Sequence, residues 1–236
     1  LPLVSLNDIP HNSVAICEEV NKRCRPLEHF THYLQQGYYP FGAEGFATYN
    51  QRVENTVELL LNIELPQLRK VDIGNIRKLK ALLSVLASEV PMLVDTAKLS
   101  TLLGISRNTL LAYLEYLDEA KLIKRLYSDD LSVKKMQKPD KILMDNCNLL
   151  KVLALKEPNI GTLRETFFCN QLGYQHQVEY SKQGDFLIDH QITFEIGGQA
   201  KEGKQVAAVE NAYIVADDIE YSYGNKLPIW LFGLLY

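Results

Sequence analysis

Gly184-Asp185-Phe186-Leu187-Ile188-Asp189-His190-Gln191-Ile192-Thr193-Phe194-Glu195-Ile196-Gly197-Gly198 is the most informative stretch of this 236-residue chain. Its alternation reads as a β-hairpin. With Asp189-His190-Gln191 as the loop, Ile188 lies opposite Ile192, Phe186 opposite Phe194 and Asp185 opposite Glu195. One face is then Phe186, Ile188, Ile192, Phe194 and Ile196, all apolar, and the other carries Asp185, Leu187, Thr193 and Glu195. A two-residue loop pairs Asp185 with Phe194 and mixes the faces. Because a one-residue slip moves a whole apolar set to the wrong side, the first register is preferred.

That register sets two carboxylates about 5 Å apart at Cβ. Like charges so placed repel unless a cation bridges them or one takes a proton. A third acid, Glu165, stands on a preceding helix in Leu163-Arg164-Glu165-Thr166-Phe167. One helix acid and two hairpin acids suit a hard cation such as Mg²⁺. Glu165, Asp185 and Glu195 are therefore the candidate residues of a Mg²⁺ site, with Asp185 and Glu195 as the metal ligands. The competing reading is a polar sheet face, one acid salt-bridged to Lys182, Lys201 or Lys204.

Working outward, residues 146–236 read as a small α/β domain. A helix is expected over Gly161–Leu172, and strands over Val178–Tyr180, Asp185–Ile188, Ile192–Ile196, Ala212–Ala216 and Leu227–Leu235, with a helix near Glu202–Glu210. Residues 71–145 read as a winged helix-turn-helix. Asn75–Ser88 is amphipathic, with Ile76, Leu79, Leu82, Leu83 and Leu86 on one side. Asp95–Leu103 is a second helix, Gly104 makes the turn, and Ser106 caps a third helix through about Glu119. Lys121–Tyr127 and Asp140–Met144 form strands around a polar loop, Ser128–Pro139, which would be the wing. In residues 1–70, Glu28–Gln36 is helical and stops at Gly37, and Tyr38–Gly42 is an aromatic turn. Phe46, Tyr49, Val53, Val57, Leu60 and Leu61 then mark a helix ending before Pro66. The expected fold class is α+β.

On the third helix of the helix-turn-helix, Leu110, Leu114 and Leu117 form the buried stripe. Arg107, Asn108 and Thr109 stand at the leading end, where a major-groove reader places its base contacts. From Lys121 to Lys141 seven Lys or Arg residues face three Asp residues. Lys134, Lys135 and Lys138 would then hold phosphates from the wing. The competing reading is a solvated wing on a module that binds protein or spaces two domains.

Apolar residues are 47% and charged residues 23% of the chain, with a net charge of -4. These values fit a folded globular chain and exclude collagen-like and disordered classes. They also confine any nucleic-acid contact to a local patch. Cys17, Cys24, Cys147 and Cys169 lie far apart and read as thiols in a reducing compartment. The longest apolar run, Ile229–Tyr236, is too short for a membrane span, so a cytoplasmic protein without a membrane partner is expected. His29 and His32 share a helix face, and no third ligand accompanies them. Leu1 in place of an initiator Met points to processing or to a longer parent chain.

Glu165, Gly184-Asp185 and Ile192-Thr-Phe-Glu195 resemble the restriction-endonuclease-like nuclease core, and the resemblance implies Glu165, Asp185 and Glu195 as the catalytic residues of a Mg²⁺-dependent nuclease. That family places a lysine two residues after the last acid; here the position is Gly197, so the resemblance implies a degenerate site. More widely, ordered phrases resemble the C-terminal half of a bacterial and archaeal AAA ATPase family that ends in a domain of unknown function. They are Phe30-Thr-His-Tyr-Leu34 with Gly37-Tyr-Tyr-Pro40, Leu103-Gly-Ile-Ser-Arg-Asn-Thr109, Tyr113-Leu114, Leu122-Ile123, Lys141-Ile-Leu-Met-Asp145, Arg164-Glu165, Asp185-Phe186-Leu187 and Phe194-Glu195. The resemblance makes residues 1–70 the end of an ATPase lid and implies an ATPase domain of the same parent chain as partner. The chain contains no G-x-x-x-x-G-K-[ST], so ATP would be bound only by a preceding domain. The function expected is a non-catalytic binding module that contacts DNA or a protein partner and carries no cofactor of its own. A Mg²⁺-dependent nuclease and a structural oligomerisation module are the alternatives.

Overall fold

The computed structural model describes residues 4–69, 73–128 and 138–235. The fold is α+β, and the chain separates into two compact units. A helix-turn-helix unit spans residues 35–159, and a sheet unit combines residues 4–34 with 160–235. This division differs from the expected three consecutive segments. The expected lid segment is split, because its first helices pack with the C-terminal sheet unit.

Two helices of the sheet unit come first in the chain, α1 (Asp8–Asn21) and α2 (Pro26–Gln36). In the helix-turn-helix unit, α3 (Tyr49–Leu59) runs through a π-helical turn (Leu60–Glu64) into α4 (Leu65–Arg69). The expectation that this helix ends before Pro66 is corrected. The wider π turn accommodates a residue that has no N–H and whose ring crowds the preceding turn. Tyr49, Val53, Val57, Leu61 and Leu65 are buried, whereas Phe46 precedes the helix and is exposed. Next come α5 (Ile73–Glu89), β1 (Met92–Leu93), α6 (Thr96–Leu103), α7 (Arg107–Glu119), β2 (Ile123–Leu126), β3 (Lys141–Met144) and α8 (Cys147–Leu153). Leu79, Leu82 and Leu86 of α5 are buried, as are Leu110, Leu114 and Leu117 of α7, as their spacing predicts. Gly104 turns the chain at φ +59, a left-handed conformation that costs glycine little. The antiparallel sheet has the order β1-β3-β2, with Ile123 opposite Met144 and Met92 opposite Ile142. Sequence pattern alone does not reveal the two-residue β1 or α8.

The sheet unit begins with α1 and α2. It continues with α9 (Ile160–Leu172), β4 (Val178–Tyr180), β5 (Phe186–Ile188), β6 (Ile192–Gly197), β7 (Ala212–Ala216) and β8 (Lys226–Pro228). The strand order is β4-β5-β6-β7-β8, antiparallel through β6 and parallel from β6 to β8. Phe168 of α9 meets Phe186, Phe194 and Phe232 at centroid distances of 5.4, 5.1 and 4.8 Å. Its neighbour Phe167 instead meets Phe30 of α2 edge-on at 4.8 Å. Helix α9 is therefore covered on both sides, which explains why it is buried nearly all round, Thr162, Thr166, Asn170 and Gln171 included.

Two further expectations are corrected. Residues 202–210 form turns rather than a helix, because Val206 is their one deeply buried side chain and a single anchor makes no helical stripe. The expected strand over Leu227–Leu235 ends at Pro228, whose fixed φ leads into a 3-10 helix over Ile229–Leu234. Trp230 is buried there, and its Nε1 donates to the Ile219 carbonyl at 3.1 Å.

Candidate functional site

In the sheet unit, the hairpin adopts the expected register, with Phe186 opposite Phe194 and Ile188 opposite Ile192. The two hairpin acids have different fates. Asp185 lies at the strand entrance, where its N–H donates to the Phe194 carbonyl at 2.9 Å. Its Oδ2 accepts the Ile196 N–H at 2.6 Å. Glu195 has a side chain only 2% exposed, and its Oε1 lies 2.9 Å from Nζ of Lys201. Its second oxygen, Oε2, is buried without a hydrogen-bond partner.

Glu165 does not complete a trio. Among the described residues no group of three or more His, Cys, Asp or Glu side chains is arranged to hold a metal ion, and His29 and His32 gain no third ligand either. One carboxylate is engaged by backbone and another by a lysine. Beside Glu165, Arg164 pairs with Asp217 at 2.9 Å and with Asp218 at 3.5 Å.

Gly197, where the resemblance to the nuclease core leads one to expect a lysine, has a definite use. A Cβ placed there would lie 2.7 to 2.8 Å from Cβ, Cγ and Cδ of Lys201. Those separations are far inside van der Waals contact, so only glycine leaves a path for the Lys201 stem.

In the helix-turn-helix unit, Ser106 caps α7 by accepting the Thr109 N–H at 3.1 Å. The Thr109 hydroxyl shares a 2.8 Å hydrogen bond with Ser106. Thr109 is thus tied into the cap, while Arg107 and Asn108 are exposed at the leading end. The acids at the far end of α7 are paired: Asp118 with Arg125 at 3.0 Å, and Glu119 with Arg69. Lys138 is half-buried at the approach to β3, where its charge reaches Asp95. The Lys98 backbone N–H, with smaller help from Ala97 and these cations, holds the Asp95 carboxyl below its usual range. Lys134 and Lys135 lie outside the described residues.

Three features have no simple sequence signal. Behind the aromatic turn, Asn148 Oδ1 accepts from the Tyr49 hydroxyl and, at 2.9 Å, from the Tyr38 N–H. Asn146 Nδ2 donates to the Tyr39 hydroxyl at 3.2 Å. In this network burial pushes the Asp145 carboxyl up to about 6, against the opposing pull of Asn146, Lys121, Lys124 and Tyr38. Separately, in the sheet unit a cavity of about 530 Å³ is walled by Val20, Phe30, Phe167 and Trp230. At the β5–β6 turn, His176 Nδ1 lies 2.7 Å from Asp189, and His190 Nδ1 lies 2.8 Å from Glu179. The cysteines are free thiols, with Cys17, Cys147 and Cys169 buried and Cys24 partly so. No helix among the described residues is long and apolar enough to cross a membrane.

No curated protein and no solved structure matches the chain. A family model, described as a domain of unknown function (DUF8612), matches residues 27–159, from α2 to the end of the helix-turn-helix unit. The match covers more than half of the chain, which therefore belongs to the DUF8612 family.

Proposed function

We propose that this chain is a non-catalytic DNA-contacting module of a cytoplasmic AAA-type ATP-binding protein, with the leading end of α7 as its contact surface. The observation that carries this reading is the charge arrangement along α7. Arg107 and Asn108 are exposed at its N-terminal end, while Asp118 and Glu119 at the other end are neutralised by Arg125 and Arg69. Arginine and asparagine pair in bidentate fashion with guanine and adenine edges. Glu115, the exposed acid left on that helix, lies about two turns from Arg107 and Asn108. The ATPase attachment is supported by the ordered phrases from Phe30 to Glu195 that resemble the C-terminal half of that family. The ATPase domain of the same chain would then be the module's protein partner.

The test is fluorescence anisotropy of a labelled DNA duplex titrated with the chain at several salt concentrations. The expected result is affinity that falls as salt rises, because bound cations release counterions from the phosphates. Arg107→Ala is expected to weaken binding several-fold and Asn108→Ala to weaken it less. Absence of binding at low salt, or binding that both variants leave unchanged, overturns the DNA reading.

A further inference from the structure

We infer that Lys201 is the resident cation of the carboxylate hairpin, filling from within the chain the place that the resemblance to metal-dependent nucleases assigns to Mg²⁺. This stands independently of DNA contact by α7. A carboxylate as deeply buried as Glu195 requires a compensating charge, since desolvation of an unpaired ion is prohibitive. The chain supplies it from six residues downstream. The backbone folds back at the turn where the Lys201 N–H donates to the Gly198 carbonyl at 3.0 Å. The side chain then runs over Gly197 and ends 2.9 Å from Glu195 Oε1. A side chain at 197 and Lys201 in this seat exclude one another on steric grounds.

The remaining donors do not make up a Mg²⁺ site. Asp185 Oδ2 is engaged by the Ile196 N–H at 2.6 Å. Glu165 joins no cluster of metal-binding side chains. That leaves Glu195 Oε2, buried without a hydrogen-bond partner, and the second oxygen of Asp185. A hard divalent cation needs more oxygen ligands than these. The glycine at 197 is thus the complement of a lysine moved four positions along the chain. The moved lysine latches the segment after β6 onto the sheet, where Val206 is also buried.

The experiment uses the full chain. Uptake of Mn²⁺ is followed by loss of the free-ion EPR signal, and stability by thermal melting with and without Mn²⁺. Wild type is expected to take up no Mn²⁺ at millimolar concentration and to melt unchanged. Lys201→Met keeps the stem and removes the ammonium, and should melt roughly 5–10 °C lower. Mn²⁺ should recover little of that loss, because the remaining oxygens are too few to hold it. In the double variant Glu195→Gln with Lys201→Met, melting should return toward wild type with or without Mn²⁺. Stoichiometric Mn²⁺ uptake by wild type that Asp185→Ala abolishes would overturn the inference. So would Mg²⁺-dependent nicking of supercoiled DNA that Glu195→Gln abolishes, or an unshifted melt of Lys201→Met. Should Lys201→Met not fold, the wild-type Mn²⁺ titration and the double variant decide.

Discussion

The two units satisfy their polar groups in different ways. In the helix-turn-helix unit the helices are closed by near neighbours. Asp95 Oδ1 accepts from the N–H groups of Ala97 and Lys98, Ser106 from that of Thr109, and Asn146 from those of Asn148 and Leu149. In the sheet unit the partners are distant in sequence. Arg164 meets Asp217, Gln171 donates to the Tyr33 hydroxyl, and Trp230 donates to Ile219. Short-range capping is written in local residue order, whereas a pair such as Arg164–Asp217 exists only after the strands are assembled. The first unit should therefore lose stability in small steps when its polar residues change, and the second in large ones.

The sharpest way to break this comparison is in the core of the sheet unit and its buried charges. Phe168→Ala removes the ring on which Phe186, Phe194 and Phe232 converge, and should cost about 4 kcal/mol by denaturant unfolding. Arg164→Ala leaves Asp217, 8% exposed, without its guanidinium, and should cost about 3 kcal/mol. Hydrogen exchange should place both losses in residues 4–34 and 160–235.

The polar network of the helix-turn-helix unit supplies an intermediate case. Burial raises the folded-state Asp145 carboxyl to about 6 from the ordinary 3.8. The unfolded chain therefore gives up this proton first as pH rises. The unit should lose stability between about pH 4 and pH 6, on the order of 3 kcal/mol, and stay level above that. Asp145→Asn should flatten this slope and raise stability at neutral pH, as read from unfolding midpoints across that range. The smallest effect belongs to the cap. Asp95→Ala should cost about 1 kcal/mol and leave the sheet unit's exchange unchanged. A loss comparable to that of Arg164→Ala would break the comparison.

The same contrast explains what was legible in the residue order. The leucine stripes of α5 and α7, the turn at Gly104 and the cap at Ser106 were readable because each signal lies within one or two helical turns. The hairpin register was readable because apolar alternation leaves one solution. The helix expected near Glu202–Glu210 failed because Val206 docks on a sheet face that the segment itself does not encode. The strand expected through Leu235 failed because a continuous apolar run has no period, leaving Pro228 to set the outcome. At the candidate site, the acids of the hairpin were legible as a pair, and Lys201 was one of three lysines that could answer Glu195. The choice among them was made by the Gly198 turn and the empty side of Gly197, a matter of close approach rather than of spacing.

The sheet unit is built from two stretches of chain, with the helix-turn-helix unit lying between them in sequence. During synthesis the two units therefore cannot mature together. The helix-turn-helix unit is contiguous and can complete its core as soon as α8 has left the ribosome. Helices α1 and α2 must wait through that whole interval, with apolar faces uncovered, until α9 and the sheet emerge. The exposed interval falls on Phe30 and its neighbours, so a chaperone acting on nascent chains would find its substrate at α1 and α2.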